Sequence, residues 1–136
     1  MIVVDTNIVA YLLIEGEFTS IVEKVYQQDS DWIVPYLWRS ELRNILALYL
    51  RKKLISIDEA INIVTQGELL LSGKECEVES ASVLKLAEIS GLSAYDCEFV
   101  ALAQSLSILL VTSDRKIIKA FPEYGIHPEH YGFSSS

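Results

Sequence analysis

Ile2-Val3-Val4-Asp5-Thr6-Asn7-Ile8 is the stretch that decides the fold. A short apolar run ends at a carboxylate, a hydroxyl and an amide follow, and apolar helix-like sequence comes next. This pattern predicts a buried strand that turns into a helix, with Asp5 at the carboxyl end of the strand. In open α/β sheets, functional sites form along that edge. Asp5 therefore marks a candidate site if other chemically useful side chains reach the same edge.

A second apolar run of the same type lies near the end of the chain. The segment 108–111 is entirely apolar and is followed by Thr112-Ser113-Asp114. Such a run is typical of a buried parallel strand. Shorter runs at 31–34, around Val78 and near Ile126 predict further strands. Because strands alternate with helical periodicity, we predict an α/β fold with a mainly parallel sheet.

Helical periodicity fills the segments between the strands. Helices are expected over about 8–13, from 20 onward, and over 36–53, 56–71, 80–90, 94–106 and 115–120. Gly91 is expected to cap the C-terminus of the 80–90 helix. Three stretches have the spacing of capping boxes and predict helix starts: Ser20-Ile21-Val22-Glu23, Ser56-Ile57-Asp58-Glu59 and Ser93-Ala94-Tyr95-Asp96.

Length and composition indicate one globular domain. The chain has 136 residues, of which 51% are hydrophobic and 22% charged, which is the balance of a folded protein. We expect a single domain over 1–133 and a mobile tail at 134–136. The net charge of −8 argues against a broad basic surface for nucleic acid. It fits an acidic pocket that holds cations, and equally well an ordinary solubility charge.

The chain is expected to be cytoplasmic and to have no contact with a membrane. No apolar run approaches the roughly 18 residues of a transmembrane helix. Asp5 interrupts the first apolar run, which also lacks the basic leading segment of a signal peptide. Cys76 and Cys97 are too few for a disulfide framework.

Four acids stand out as candidate site residues: Asp5, Glu41, Asp96 and Asp114. Each has an ordinary structural explanation, because three of them have positions that suit helix caps and Glu41 has basic neighbours to pair with. Taken together, all four are expected at the carboxyl edge of the sheet. Carboxylates gathered there would repel one another unless cations lie between them. Hard divalent ions such as Mg²⁺ or Mn²⁺ prefer such oxygen ligands.

Polar neighbours of the acids are candidates for positioning substrate or water. Thr6 and Asn7 lie at the first helix start, and Thr112 and Ser113 follow the last apolar run. Arg115 either meets a substrate phosphate or is an ordinary solvated charge, with equal weight. Metal ions held by carboxylates position water and stabilise charge on phosphoryl oxygens, which is the chemistry of phosphodiester hydrolysis. His127 and His130 are expected to be surface residues rather than ligands.

Four segments of the chain resemble, in order, the motifs of PIN-domain ribonucleases, with the VapC toxins of type II toxin–antitoxin systems as the nearest resemblance. The segments are Val3-Val4-Asp5-Thr6-Asn7, Trp38-Arg39-Ser40-Glu41-Leu42, the stretch 95–103 around Asp96, and Val111-Thr112-Ser113-Asp114. The resemblance implies a three-layer α/β/α sandwich around a mainly parallel sheet of about four to five strands.

The same resemblance implies an activity and partners. It implies a Mg²⁺- or Mn²⁺-dependent endoribonuclease that uses Asp5, Glu41, Asp96 and Asp114 both as metal ligands and as catalytic groups, with assistance from Thr112. It further implies RNA as substrate, a homodimer, and a cognate antitoxin that wraps the protein and obstructs its site.

Two other functions remain open from the residues. A PIN-like binding module with a weak or inactive site would act through its partner. A phosphotransfer domain or phosphatase would also carry acids at the carboxyl edge. A phosphatase of the haloacid-dehalogenase type, however, needs a second Asp two residues after the first, and position 7 is Asn.

Overall fold

The computed structural model describes residues 1–132, which form five strands separated by one or two helices each, seven helices in all. The tail expected at 134–136 lies outside the described residues. In chain order the elements are β1 (Ile2–Val4), α1 (Thr6–Leu13), α2 (Thr19–Gln28), β2 (Trp32–Pro35), α3 (Trp38–Arg51), α4 (Ile57–Leu70), β3 (Glu75–Cys76), α5 (Ser80–Ser90), α6 (Ala94–Leu106), β4 (Leu110–Val111), α7 (Arg115–Ala120) and β5 (Gly125–Ile126).

The sheet is parallel throughout and has the order β3-β2-β1-β4-β5. The strand that opens the chain is therefore the central one. Ile2 pairs with Trp32 on one side of β1, and Val4 pairs with Val111 on the other. Because all strands run the same way, the segments that follow β1, β2 and β4 leave the sheet at one edge. The predicted α/β class and parallel sheet are confirmed.

Helices cover both faces of the sheet and make the three layers that were expected. Side chains alternate between faces along a strand, so Val4 packs with the helices α1 to α4, whereas Val3 packs with α5, α6 and α7. Each face has its own hydrophobic core, with Trp38 at 0% exposure in one and Phe99 at 1% in the other. No helix in residues 1–132 is long and apolar enough to cross a membrane.

Two of the three predicted capping boxes mark helix starts, and one does not. Ser56 and Glu59 form the reciprocal box at the start of α4, and Ser93 caps α6 by accepting from the amide of Asp96. The box predicted at Ser20 is wrong, because α2 begins at Thr19 after Phe18, with no side-chain cap. The Thr19 hydroxyl instead accepts from Gly16 N at 3.0 Å and donates to Tyr11 O at 2.7 Å, which closes the turn.

Smaller departures concern the strands. The strand expected around Val78 lies at Glu75–Cys76, where β3 pairs with the end of β2 in the register of Val34 with Glu75. The Arg39 guanidinium donates to both Glu75 carboxylate oxygens, at 2.6 and 2.8 Å. This bidentate pair holds β3 to the first turn of α3.

Gly91 ends α5 in the left-handed conformation, with φ of 73°, as its cap position requires.

Candidate active site

The ends of β1 and β4 are tied together by one buried hydroxyl. Asp5 N donates to Val111 O at 3.0 Å, which places the residues after both strands side by side. Thr112 is fully buried, and its Oγ1 donates to Asp5 Oδ2 at 2.7 Å while accepting from Asp114 N at 3.0 Å. Thr112 therefore orients the two acids that follow the two strands.

Asp5 and Asp114 also cap the helices that they precede. Asp5 Oδ1 accepts from Thr6 N at 2.8 Å, and Asp114 Oδ1 accepts from Lys116 N at 2.9 Å. The ordinary structural explanation of these two acids is thus correct as far as it goes. It does not account for the rest of their surroundings, because each carboxylate also faces the other acids across a cavity.

Glu41 comes to this edge from the first turn of α3. Trp38 and Leu42 bury one face of that helix, and Glu41 lies beside it, half-buried. Its Oε1 accepts a hydrogen bond of 2.7 Å from Thr6 Oγ1. Of the two basic residues nearest in the sequence, Arg39 is bound to Glu75 and Glu68, and Arg43 forms no salt bridge within residues 1–132.

Asp96 reaches the same edge from the first turn of α6. Ser93 Oγ accepts from Asp96 N at 3.1 Å, which fixes the helix start. The four acids then line one open cavity of about 580 Å³. The other residues of its wall are Thr6, Asn7, Leu37, Ser40, Asn44, Ile45 and Tyr95. Four separate segments of the chain therefore supply one carboxylate each.

Burial and repulsion between neighbours raise the pKa of three carboxyls of the cavity, those of Asp5, Glu41 and Asp96. Burial raises the pKa of Asp5 above its ordinary 3.8, and the charges of Asp96 and Asp114 act in the same direction, against the hydrogen bonds from Thr112 and Thr6. Burial likewise raises the pKa of Glu41, with added repulsion from Asp5, Asp96 and Glu98. The pKa of Asp96 is raised by burial and then by Asp114, while Ser93 and Lys116 oppose the shift.

The predicted positioning residues divide into two groups. Thr6 and Asn7 line the cavity, and Thr112 supports it from below. Ser113 is not in the wall, since its Oγ lies 3.4 Å from Tyr11 OH. Arg115 is exposed and does not line the cavity either.

Sequence reasoning missed three polar residues of the wall: Ser40, Asn44 and Tyr95. A usable signal was present for each. Asn44 lies three residues after Glu41, and Ser40 lies four residues before Asn44, so helical spacing links both to the side of α3 that carries Glu41. Tyr95 directly precedes Asp96 at the start of α6.

The donor chemistry of the cavity fits a hard divalent cation. All four acids offer oxygen ligands, and none of them forms a salt bridge with Lys or Arg within residues 1–132. As the side chains stand, the described residues contain no group of three His, Cys, Asp or Glu placed to hold a metal ion. The carboxylates would therefore have to draw together around an ion.

Comparison with known proteins places the chain in a family. The family model described as the PIN domain matches residues 2–122. Ribonuclease VapC3 of Pyrobaculum aerophilum is 33% identical in an alignment of 126 positions that covers 89% of this chain and 95% of that protein. The resemblance read from the four motifs is thereby confirmed.

Solved structures show the same fold. FitAcB from Neisseria gonorrhoeae superposes with a TM-score of 0.74 at 19% identity, over 96% of this chain and 99% of that one. PAE2754 from Pyrobaculum aerophilum superposes with a TM-score of 0.69 at 24% identity, over 93% and 90%. Since the family model spans most of the sequence and a VapC ribonuclease is a relative across nearly its whole length, the chain belongs to the PIN domain family.

Proposed function

We propose that the protein is a metal-dependent endoribonuclease that hydrolyses RNA phosphodiester bonds, and that it is the toxin of a toxin–antitoxin pair. The observation that carries the proposal is the convergence of Asp5, Glu41, Asp96 and Asp114 from four segments on one open cavity. The ribonuclease name of the 33% identical relative supports the same reaction class.

In this proposal Asp5, Asp96 and Asp114 hold Mg²⁺ or Mn²⁺, and Glu41 completes a second site or acts through water. When bound, the ion would lower the pKa of a water molecule and would stabilise negative charge on the phosphoryl group. Thr112 keeps Asp5 in position through the 2.7 Å hydrogen bond. Thr6 does the same for Glu41 at 2.7 Å, so the carboxylates are oriented before substrate arrives.

Glu41 is the acid best suited to accept the proton of the attacking water. It is half-buried, and burial together with neighbouring charge raises its pKa, which makes the carboxylate a stronger proton acceptor. The water oxygen bonds to phosphorus and its proton passes to the Glu41 carboxylate. The bond from phosphorus to one ribose oxygen breaks, and that oxygen takes a proton from solvent to leave as a hydroxyl.

The partners follow from the same proposal. A cognate antitoxin would cover the acid cavity, the protein would act as a homodimer, and it would work on RNA in the cytoplasm. The VapC name of the relative supports the antitoxin partner.

RNA cleavage mapping with Mg²⁺ or Mn²⁺ tests the proposal. We expect the parent protein to cut single-stranded RNA. Asp5→Asn should lower kcat by about a hundredfold or more, because it removes one charged ligand of the ion and losing one group that stabilises charge in the transition state typically costs this much. Glu88→Gln is the matched control, since Glu88 is exposed on α5 and away from the cavity. An Asp5→Asn protein as active as the parent would sink the proposal. A parent that binds its antitoxin but cuts no RNA would favour the binding-module alternative.

A further inference from the structure

Two exposed tyrosines flank the acid cavity. Tyr95 is 63% exposed, lies in the first turn of α6 and forms part of the cavity wall. Tyr36 is 54% exposed and directly precedes Leu37, another residue of that wall. Large aromatic side chains left this open beside a cavity offer flat apolar faces to whatever enters it.

A second cavity lies next to the acid cavity. The second cavity, of about 470 Å³, is lined by Tyr36, Ala94 and Glu98 together with apolar side chains such as Val83. The two cavities share the chain segments 36–37 and 94–98 as their common border. The charge of Glu98 also acts on Glu41, which raises the Glu41 pKa and shows that the two cavities are close. Tyr36 lines the second cavity and Tyr95 the acid cavity, so the two tyrosines belong to the segments along which the cavities adjoin.

The walls are poorly suited to bind the phosphates of a nucleic acid. Among residues 1–132, no Lys or Arg lines either cavity. The nearby Arg39 guanidinium is held by Glu75 and Glu68. Nucleic-acid binding ordinarily draws on Lys and Arg contacts to phosphate, and this surface adds carboxylates instead. Apart from the metal ions of the proposed function and the charge of Lys116, which reaches Asp96, an RNA bound here finds few cations for its phosphates, so contacts to its bases gain weight.

We propose that Tyr95 and Tyr36 form a stacking platform for unpaired bases next to the cleaved phosphate. The inference rests on the proposed ribonuclease function and specifies how that site holds its substrate. Every base has a π-face, and stacking on aromatic side chains contributes about 1–3 kcal/mol per base with little sequence preference. Bases in a duplex are already stacked and do not present their faces. The platform therefore selects single-stranded RNA. With the bases stacked on the tyrosines, the phosphates face the solvent and the metal ions that the acids would hold.

Two substitutions of Tyr95 test the contribution of the aromatic ring face separately from those of side-chain size and of the hydroxyl. We expect Tyr95→Leu to raise KM for a fluorescent single-stranded RNA oligonucleotide by about tenfold, equivalent to roughly 1.4 kcal/mol, with kcat little changed. Tyr95→Phe keeps the π-face and should keep the parent KM. Tyr36→Leu and Tyr36→Phe form a second pair with the same expectation. Because both tyrosines are more than half exposed, the variants should fold as the parent does.

An abasic series shows whether the ring meets a base. In the parent, removal of the base beside the cleaved phosphate should raise KM about tenfold, whereas in Tyr95→Leu the same removal should have little further effect. A Leu variant with the parent KM, or a Phe variant as impaired as the Leu variant, would overturn the stacking platform while the ribonuclease function stands. A parent protein that cuts no RNA with either metal would instead contradict the function and the inference with it.

Discussion

A single hydroxyl, that of Thr112, joins the two ends of the central strands at the acid cavity. Its side chain is fully buried, donates to Asp5 and accepts from the amide of Asp114. Burial raises the pKa of Asp5, and the hydrogen bond from Thr112 is the largest effect that lowers it. Loss of this hydroxyl would therefore leave the pKa of Asp5 higher still. Thr112 is thus both a part of the fold and a determinant of how Asp5 is held.

Thr112→Val should therefore weaken both stability and cleavage. It keeps the shape but leaves a buried carboxylate oxygen and a backbone amide without their partner, at a cost of about 1–3 kcal/mol in the free energy of unfolding. Thr112→Ser retains the hydroxyl and should lose much less. Urea unfolding of the three proteins, with cleavage assayed on the same samples, measures both effects. Equal stability of the Val variant and the parent would show that the hydroxyl does not hold Asp5 as described.

Residue types were readable from the sequence at this site, but side-chain directions were not. Thr112 and Ser113 are adjacent hydroxyls with the same apparent chemistry. In the fold, one supports the acid cavity and the other lies near Tyr11. Arg115 follows Asp114 directly, but as the first residue of α7 it is exposed and does not line the cavity. Which neighbour of an acid shares its cavity depends on the turn after the strand, which residue type alone does not specify.

At the scale of elements, helix starts show where local patterns succeed and fail. The stretches beginning at Ser20 and Ser56 have the same Ser-x-x-Glu spacing. Ser56 accepts from Glu59 N at 3.1 Å, and Glu59 accepts from Ser56 N at 3.0 Å. Ser20 instead lies inside α2, because the tight turn closed by Thr19 starts the helix one residue earlier. A tertiary contact between α1 and α2 thus overrides a local signal.

This pair of serines supplies a matched test. Ser56→Ala should lower the free energy of unfolding by about 1 kcal/mol, the usual value of an N-cap. Ser20→Ala should leave stability unchanged or slightly higher, because alanine is the better residue within a helix. Chemical denaturation measures both variants, and neither should alter RNA cleavage, since neither serine lines the acid cavity. A similar loss in both variants would mean that Ser20 caps α2 after all.

The existence of the strands was easier to predict from the sequence than the residues at which they begin and end. Buried apolar runs identified β1, β2 and β4 because a central parallel strand must be apolar on both faces. The edge strand β3 has only Glu75 and Cys76, both partly exposed, so it has no such run. Its place is set by the pairing with β2 and by the ion pair of Glu75 with Arg39, a contact between residues 36 positions apart.

At the scale of the whole molecule, folding itself creates the repulsion in the acid cavity. Asp5, Glu41, Asp96 and Asp114 are far apart in the sequence and meet only in the folded chain. The parallel direction of the strands and the direction of the helices between them could be anticipated, which is why the sequence predicted a shared edge. The hydrogen bonds that orient each acid, and the aromatic border formed by Tyr36 and Tyr95, depend on the packed structure and could not be anticipated in the same way.

The repulsion has a definite consequence for stability against pH. Burial and neighbouring charge raise the pKa values of Asp5 and Glu41 above their ordinary 3.8 and 4.5. A carboxyl with a raised pKa binds its proton more tightly in the folded state, so its contribution to stability falls as pH rises from about 4 through the raised pKa. Glu75 has the opposite sign, because Arg39 lowers the pKa of that carboxyl and its stabilising effect is lost as pH falls.

Comparison of the parent with Asp5→Asn isolates the contribution of the cavity from such opposing groups. In EDTA at neutral pH, the Asn variant should unfold at a higher urea concentration than the parent. This advantage should shrink as pH falls through the raised pKa of the folded state, and it should vanish only well below the ordinary 3.8, where Asp5 is protonated in the unfolded state too. Glu88→Gln should follow the parent at every pH. An Asn variant less stable than the parent at neutral pH would mean that the hydrogen bonds to Thr6 and Thr112 outweigh burial and repulsion.

Divalent ions should reverse this order if the proposed function is correct. A ligand that binds only the folded state stabilises it by about 2.7 kcal/mol at a hundredfold excess over its Kd. The parent should gain stability when Mg²⁺ or Mn²⁺ replaces EDTA, because the cation offsets the charges of Asp5, Asp96 and Asp114. Asp5→Asn should gain much less, since one of the three carboxylates is gone. Urea unfolding with and without metal measures both gains. Equal gains in the two proteins would mean that the ion is not held by Asp5 but screens the net charge of −8 elsewhere on the molecule.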